Sequence, residues 1–328
     1  MTPARRRLRR GVRIGLAVLL AAVIVLALDT GALYGRVGRF EYAAPPGSPG
    51  TTYLIVGSDA RAGAPHDQQA TFGTTAMMPG ARADVVLVVH VPAGGRPSVL
   101  AVPRDLVVFA DGSVPRRLTV TLLGGPQATA DALCRSLGIA VDHIVVLGFG
   151  GFERLVDSAG GVTVDVPRPV RDRYTGLRID TPGPHHLDGR TALAYVRSRH
   201  AEENAGDGWA PVAEGAAGRP GQALTVLRAV AGSLRPTDPV RSQRVAWAAA
   251  GAVSVDASMG PRGLARLGLA LRSVGPADTT VLPAATTDTP IPMASLDTGA
   301  GRALRALAGG GCSPMLLDAP RAATVVSS

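Results

Sequence analysis

The sequence contains no lysine: all 34 of its basic residues are arginine. Aromatic residues make up only 4% of it and charged residues 18%, and there are two cysteines, Cys134 and Cys312. Each shortage removes a class of protein. Two cysteines cannot staple a small disulfide scaffold, and no His/Cys spacing typical of a zinc site occurs. No basic run is interleaved with aromatics, so nucleic acid is not an expected partner despite the net charge of +9. The charge is also badly distributed for that role. Arg5, Arg6, Arg7, Arg9, Arg10 and Arg13 supply six of the nine charges, no acidic residue precedes Asp29, and the rest of the chain carries only +3.

What is present points outward from a membrane. After the basic block, Ile14 to Leu28 is an unbroken apolar run, and it extends past Asp29 and Thr30 to Tyr34. A spanning helix needs about 20 residues, which the extended stretch supplies. A cleaved signal peptide is the competing reading, since its apolar region is about 7–15 residues long. The positive-inside rule and the longer stretch favour an uncleaved anchor, with Asp29 near the outer interface. Either way, everything after Tyr34 lies outside the cytoplasm. The resulting division is a basic tail (1–13), a transmembrane helix (14–34), a Pro/Gly linker (35–50), an extracytoplasmic domain (51–311) and a C-terminal tail (312–328). In an exported domain Cys134 and Cys312 are expected to form one long-range disulfide; otherwise they are buried thiols.

With 46% hydrophobic residues the domain can bury a sizeable core. Residues 53–56, 85–91, 98–102, 143–147 and 162–166 read as strands, and 279–282 as a further candidate. The runs 85–91 and 98–102 are continuously apolar, as in strands buried on both faces. Helices are expected over 127–137, 152–159 (stopped by Gly160-Gly161), 188–196 with Asp188 as N-cap, 222–234, 239–253, 260–274 and 298–308. Residues 61–81 and 201–221 read as loops. The alternation implies an α/β fold with a mixed central sheet flanked by helices.

Four constellations carry chemistry. Gly57-Ser-Asp-Ala-Arg61 follows a strand, where ligands bind in open α/β sheets. Arg82-Ala-Asp84 precedes a long apolar strand, and Val102-Pro-Arg-Asp105 follows one. If those two strands are antiparallel neighbours, Asp84 and Arg104 meet at one sheet edge. The helix Asp188–Val196 delivers Arg197 and Arg199 close together, and arginine forks suit a diphosphate. Singly, each fits a polar turn or surface charges equally well.

Together, the order and spacing of these pieces resemble the LytR–CpsA–Psr family. The segments Phe152-Glu-Arg-Leu-Val-Asp-Ser-Ala-Gly-Gly-Val-Thr-Val-Asp-Val-Pro167 and His186-Leu-Asp-Gly-Arg-Thr-Ala-Leu-Ala-Tyr-Val-Arg-Ser-Arg199 carry most of the likeness, which covers about Thr51 to Ala308. The resemblance implies a membrane-anchored transferase that moves a glycan phosphate from a polyprenyl-diphosphate-linked glycopolymer to a peptidoglycan hydroxyl, using Mg2+. It implies Asp59 and Asp84 as magnesium ligands. Arg61, Arg104, Arg197 and Arg199 would hold the diphosphate, and Asp84 or Asp105 would activate the acceptor. Asp84, Arg104 and Asp105 are thus the expected catalytic group. It also implies an apolar tunnel for the lipid, expected along residues 120–123, 144–147 and the helices after Gln222. Substituting Arg104 or Arg197 is expected to weaken binding and leave the fold intact.

One stretch departs from the family pattern. After Arg-x-Arg the family has an Asp/Arg segment, then a second arginine followed by two glutamines. Here a Gly/Ala-rich insertion leads to Gly218-Arg219-Pro-Gly-Gln222-Ala-Leu224. Arg219 takes the first arginine's place, Gln222 stands for the second, and both are expected at the diphosphate. Ala223 and Leu224 replace the glutamines. A non-catalytic binder of lipid diphosphates, or a regulator, therefore stands beside the transferase as an alternative.

Overall fold

A computed structural model describes residues 20–318, apart from 22–23, 25–26, 48, 60–80, 111–113, 199, 207, 213–218, 234–236, 288–292, 306, 308–310 and 313. Its centre is a seven-stranded sheet in the order β1-β14-β7-β2-β3-β4-β15. The strands are β1 (Gly38–Phe40), β2 (Thr51–Ser58), β3 (Ala83–Val91), β4 (Ser98–Val102), β7 (His143–Gly148), β14 (Val253–Asp256) and β15 (Thr279–Val281). β3 runs antiparallel to both β2 and β4, whereas β2 and β7 are parallel, so the sheet is mixed as expected.

The apolar runs of β2, β3 and β4 are buried because both faces of the sheet are covered. On one face Leu54, Val56, Val86, Val88 and Leu100 form a core with α1 (Leu118–Thr121), α2 (Gly125–Leu137) and α8 (Ala300–Arg305). On the other, Tyr53, Ile55, Leu87, Val89 and Ala101 pack on α5 (Arg219–Ser233), α6 (Pro239–Ala252) and α7 (Pro261–Ser273). A third apolar cluster joins α3 (Phe149–Ser158), α4 (Gly189–Arg197), α5 and β8 (Val162–Val166), which pairs with β11 (Gly183–Leu187). The positive φ of Gly160 and Gly161 ends α3 where the sequence places the stop. Asp188 caps α4 by accepting the Thr191 N–H at 2.8 Å.

Several expectations change. The expected loop 201–221 contains β12 (Glu202–Asn204) and β13 (Trp209–Pro211), which join β9 (Val170–Asp172) and β10 (Leu177–Ile179) in a four-stranded sheet. Val253 belongs to a strand rather than to the preceding helix. Residues 35–50 are not a free spacer: β1 pairs with β14, and Tyr42 donates to the Val141 carbonyl at 2.7 Å. Beyond residue 311, Cys312 is disulfide-bonded to Cys134 with a Cα–Cα distance of 5.0 Å, and α9 (Met315–Asp318) packs on α2. β5 (Val107–Phe109) and β6 (Pro115–Arg117) form a hairpin, as do β16 (Ala284–Thr286) and β17 (Ala294–Leu296). None of these four short strands stands out in the sequence.

The expected membrane span lies largely outside the described residues. Among the described residues no helix is long and apolar enough to cross a membrane. Residues 27–36 are helical and dock on the domain: the Asp29 carboxylate accepts from Trp247 Nε1 at 3.1 Å and from Gln243.

Candidate functional site

Three strands and three helices converge on one cavity. It is a partly open cleft with a cavity volume of about 40 Å³, between the sheet and helices α3, α4 and α5. Ile55, Val85, Leu147, Phe149, Phe152, Leu193, Val196, Ala223 and Leu227 make it apolar, and Gly57, Asp84 and Arg197 also line it. A Cβ on Gly57 would come within 3.0 Å of the Val85 Cβ, so glycine is what permits this close approach. The expected lipid path is corrected in part. Leu122 packs on the opposite face of the sheet, with Leu54 and Val56, so residues 120–123 do not line the cavity. Of 144–147 only Leu147 does, whereas α5 contributes Ala223 and Leu227 as expected.

The β2–β3 ladder is irregular at its end. Gly57 opposes Val85 and Ser58 opposes Ala83, which leaves Asp84 as an extra residue. Such a bulge re-aims side chains, and here consecutive residues Asp84 and Val85 both face the cavity. Asp59, just past β2, accepts the Arg82 N–H at 2.6 Å and donates its own N–H to the Arg82 carbonyl at 3.1 Å. That clasp fixes Asp59 beside the start of β3.

Antiparallel pairing of β3 and β4 brings Arg104 to Asp84, as the spacing predicts: Arg104 Nη1 lies 2.5 Å from Asp84 Oδ1. The same guanidinium approaches Asp105 Oδ2 at 3.4 Å, and Arg117 Nη1 lies 3.5 Å from Asp105 Oδ1. Asp105 is buried, and neither it nor Arg104 is among the residues that line the cavity, which this network reaches through Asp84. Arg197, at the end of α4, stacks its guanidinium over the Phe149 ring at 4.5 Å. Gln222 lies in the first turn of α5, one residue before Ala223, and its Oε1 is buried without a hydrogen-bond partner. Its side chain meets Tyr195, whose phenol is pushed up by burial and pulled back by that contact.

The structure thus gathers Asp84, Arg104 and Asp105 into one network, with Asp59 clasped beside it and Arg197 and Gln222 on the helices across the cavity. Arg61 and Arg199 lie outside the described residues. Arg219 begins α5, and its side chain lies outside the described set as well. Two arginines were not anticipated. Arg117 closes the network behind Asp105. Arg82 has one guanidinium nitrogen, Nη1, buried with no hydrogen-bond partner, whereas Arg104 Nε has the Asp105 carboxylate 3.4 Å away. Buried donors of this kind call for an acceptor. The Arg82-Ala-Asp84 spacing held the signal for Arg82: a bulge lets residues two apart serve one site. Arg117, from Pro115-Arg-Arg117, gives no such signal.

Magnesium takes oxygen ligands and commonly only one or two carboxylates, the rest being water and substrate phosphate. Asp59 and Asp84 fit that donor set in kind. Among the described residues no cluster of three or more His, Cys, Asp or Glu is arranged to hold a metal.

A layered α/β domain with an amphipathic pocket, apolar but for Asp84 and Arg197 in its lining, is the class that this fold and site define. The chain belongs to the LytR_cpsA_psr family, which it matches over residues 46–282. It is 32% identical over 185 residues to "Probable cell wall biosynthesis protein LcpB" of Corynebacterium glutamicum, covering 56% of this chain and 44% of that protein. It is 31% identical over 178 residues to "Polyisoprenyl-teichoic acid--peptidoglycan teichoic acid transferase TagT" of Bacillus subtilis, covering 52% of this chain and 50% of that one. The matched part is therefore half or less of these relatives' own length. Among solved structures, a LytR-Csp2A-Psr enzyme from Actinomyces oris superposes with a TM-score of 0.68 at 34% identity, over 85% of this chain and 97% of the other.

Proposed function

We propose that this protein transfers a glycopolymer from a polyprenyl diphosphate to a peptidoglycan hydroxyl, as the glycan phosphate. The observation that carries the reading is the buried guanidinium nitrogen Arg82 Nη1, which has no hydrogen-bond partner, two residues from Asp84, which with Arg197 lines an apolar cavity. An anion with a long apolar tail satisfies both features at once. The name of the relative TagT, and its match to half of this chain, support the class of reaction.

In the proposed reaction the acceptor oxygen attacks the phosphorus that bears the sugar. The bond from that phosphorus to the bridging oxygen breaks, and polyprenyl phosphate leaves. Arg82, Arg104 and Arg197 neutralise the diphosphate. Asp84 faces the cavity and takes the hydroxyl proton. Asp105, held between Arg104 and Arg117, positions the Arg104 guanidinium. A magnesium ion on Asp59 and Asp84, directly or through water, would add charge neutralisation at the leaving phosphate. The apolar run 14–34 would anchor the domain outside the membrane, close to its lipid substrate.

A non-catalytic lipid-diphosphate binder is the second reading. It is favoured by Ala223 and Leu224, which are apolar and buried where the family pattern has polar residues. The test is to incubate the full chain in detergent with a polyprenyl diphosphate disaccharide, peptidoglycan fragments and Mg2+, and to measure released polyprenyl phosphate and bound lipid. Release supports the transferase. Binding without release selects the second reading, and no binding overturns both.

A further inference from the structure

The insertion that departs from the family pattern is ordered into β12 and β13, and it carries one of the chain's two tryptophans. β13 pairs with β12 (Trp209 opposite Asn204), and β12 pairs with β9 (Glu202 opposite Arg171). One side of this small sheet buries Val170, Leu177 and Ile179 in the domain. By strand alternation the other side carries Arg171, Glu202 and Trp209. Arg171 Nε donates to Glu202 Oε2 at 2.6 Å, and its guanidinium lies 4.3 Å from the Trp209 ring centroid. In the β9–β10 turn, Tyr174 is 74% exposed, more than any other large apolar side chain among the described residues. Its ring lies 4.5 Å from that of His200.

A buried carboxylate ties this surface to the cavity. Asp172 is 1% exposed. It accepts from the Tyr174 N–H and the Ser198 hydroxyl, at 2.8 and 2.9 Å, and from the His200 N–H at 2.9 Å. The turn is therefore locked to the end of α4, where Arg197 lines the cavity.

We propose that Tyr174, His200, Trp209 and the Arg171–Glu202 pair form a subsite for the neutral pyranose units next to the diphosphate. This rests on the function proposed above and names the part of the substrate that the sheet would read. A pyranose has an apolar C–H face and a rim of hydroxyls. An exposed aromatic ring covers the first, and planar charged groups fixed in an ion pair bind the second. The local charges favour a neutral chain: Arg168, Arg171 and Arg178 are paired with Glu203, Glu202 and Asp180, and Arg173 also approaches Glu202. A polyphosphate would find little unbalanced positive charge there.

The test compares two probes on the full chain in detergent: a polyprenyl diphosphate without sugar, and the same lipid carrying a neutral trisaccharide. Wild type is expected to bind the glycosylated probe at least about tenfold more tightly, the scale of one well-made ring contact. Tyr174→Ala and Trp209→Ala should remove that advantage and leave binding of the sugar-free probe unchanged, which also reports an intact fold. Tyr174→Phe should keep it. A wild type that binds both probes equally, or variants that keep the full advantage, overturns the subsite alone. A wild type that binds neither overturns the proposed function together with it.

Discussion

Removing Arg104 is expected to cost the ligand-free protein about 3 kcal/mol, because two carboxylates depend on it. The Arg104 side chain is 14% exposed, and its partners Asp84 and Asp105 are 12% and 8% exposed. An exposed ion pair contributes about 0–1 kcal/mol, whereas taking one partner out of a buried pair costs about 3–5 kcal/mol. These exposures lie much nearer the buried limit. Arg117 remains 3.5 Å from Asp105, which keeps the cost at the lower end of that range. In a domain of this size each kcal/mol moves Tm by about 2–4 °C, so Arg104→Ala should lower Tm by about 6–12 °C. This replaces the simpler expectation that the variant loses only binding. Thermal unfolding of wild type, Arg104→Ala, Asp84→Asn and the double variant tests it. The double variant should recover at least about 1 kcal/mol relative to the sum of the single losses, because the charge left stranded in Arg104→Ala is gone. A Tm within about 2 °C of wild type, or strict additivity, refutes the argument. Binding by Arg104→Ala must accordingly be measured well below its own Tm.

Cys134→Ser should be strongly destabilising: the bridge spans a sequence separation of 178, and the chain-entropy model assigns about 5 kcal/mol to a loop of that length. Equal Tm with and without reductant would contradict this. Asp188→Ala removes the α4 cap and should cost about 1 kcal/mol, read as a Tm loss of about 2–4 °C; an unchanged Tm would show that the cap is replaced. Burial alone would raise the Asp256 pKa, but contacts from His143, Ser258 and the Ile144 N–H outweigh it and hold the carboxyl below its ordinary value. That contribution is full above about pH 4 and is lost as pH falls through the lowered value. Asp256→Asn should therefore flatten the acid limb of Tm against pH; parallel curves would exclude the linkage.

The long elements were legible because their burial pattern is simple. Val85–Val91 and Ser98–Val102 are apolar throughout, as strands covered on both faces must be, and their antiparallel pairing follows from a short turn. That was enough to bring Asp84 to Arg104. What could not be read was whatever depends on where an insertion lands. β12 is Glu-Glu-Asn, three polar residues that no pattern marks as a strand; it exists because β9 offers a free edge and Arg171 offers Glu202 a partner. β1 is equally short, and only its pairing with β14 gives it a place in the sheet. The path of the cavity was misjudged at residues 120–123 for a similar reason, because an apolar stretch does not say which face of the sheet it covers.

The segment Gln222–Leu224 shows how the departure from the family pattern fits the rest of the site. Leu224 is 2% exposed and packs with Ile55 and Leu87, while Ala223 is 3% exposed and lines the cavity. Polar amides at these two positions would need partners that the surrounding apolar clusters do not offer, and each unpaired group would cost about 1–3 kcal/mol. Ala223 therefore keeps the pocket wall apolar, while Leu224 belongs to the core beside it. Gln222 keeps one polar contact, through Tyr195, and adds no charge. In the proposed function, anion recognition would then rest on the sheet side and the end of α4, on Arg82, Arg104 and Arg197. The buried donor without a hydrogen-bond partner is Arg82 Nη1, on the sheet side, whereas the unmet group on α5 is an acceptor, Gln222 Oε1, which offers an anion nothing.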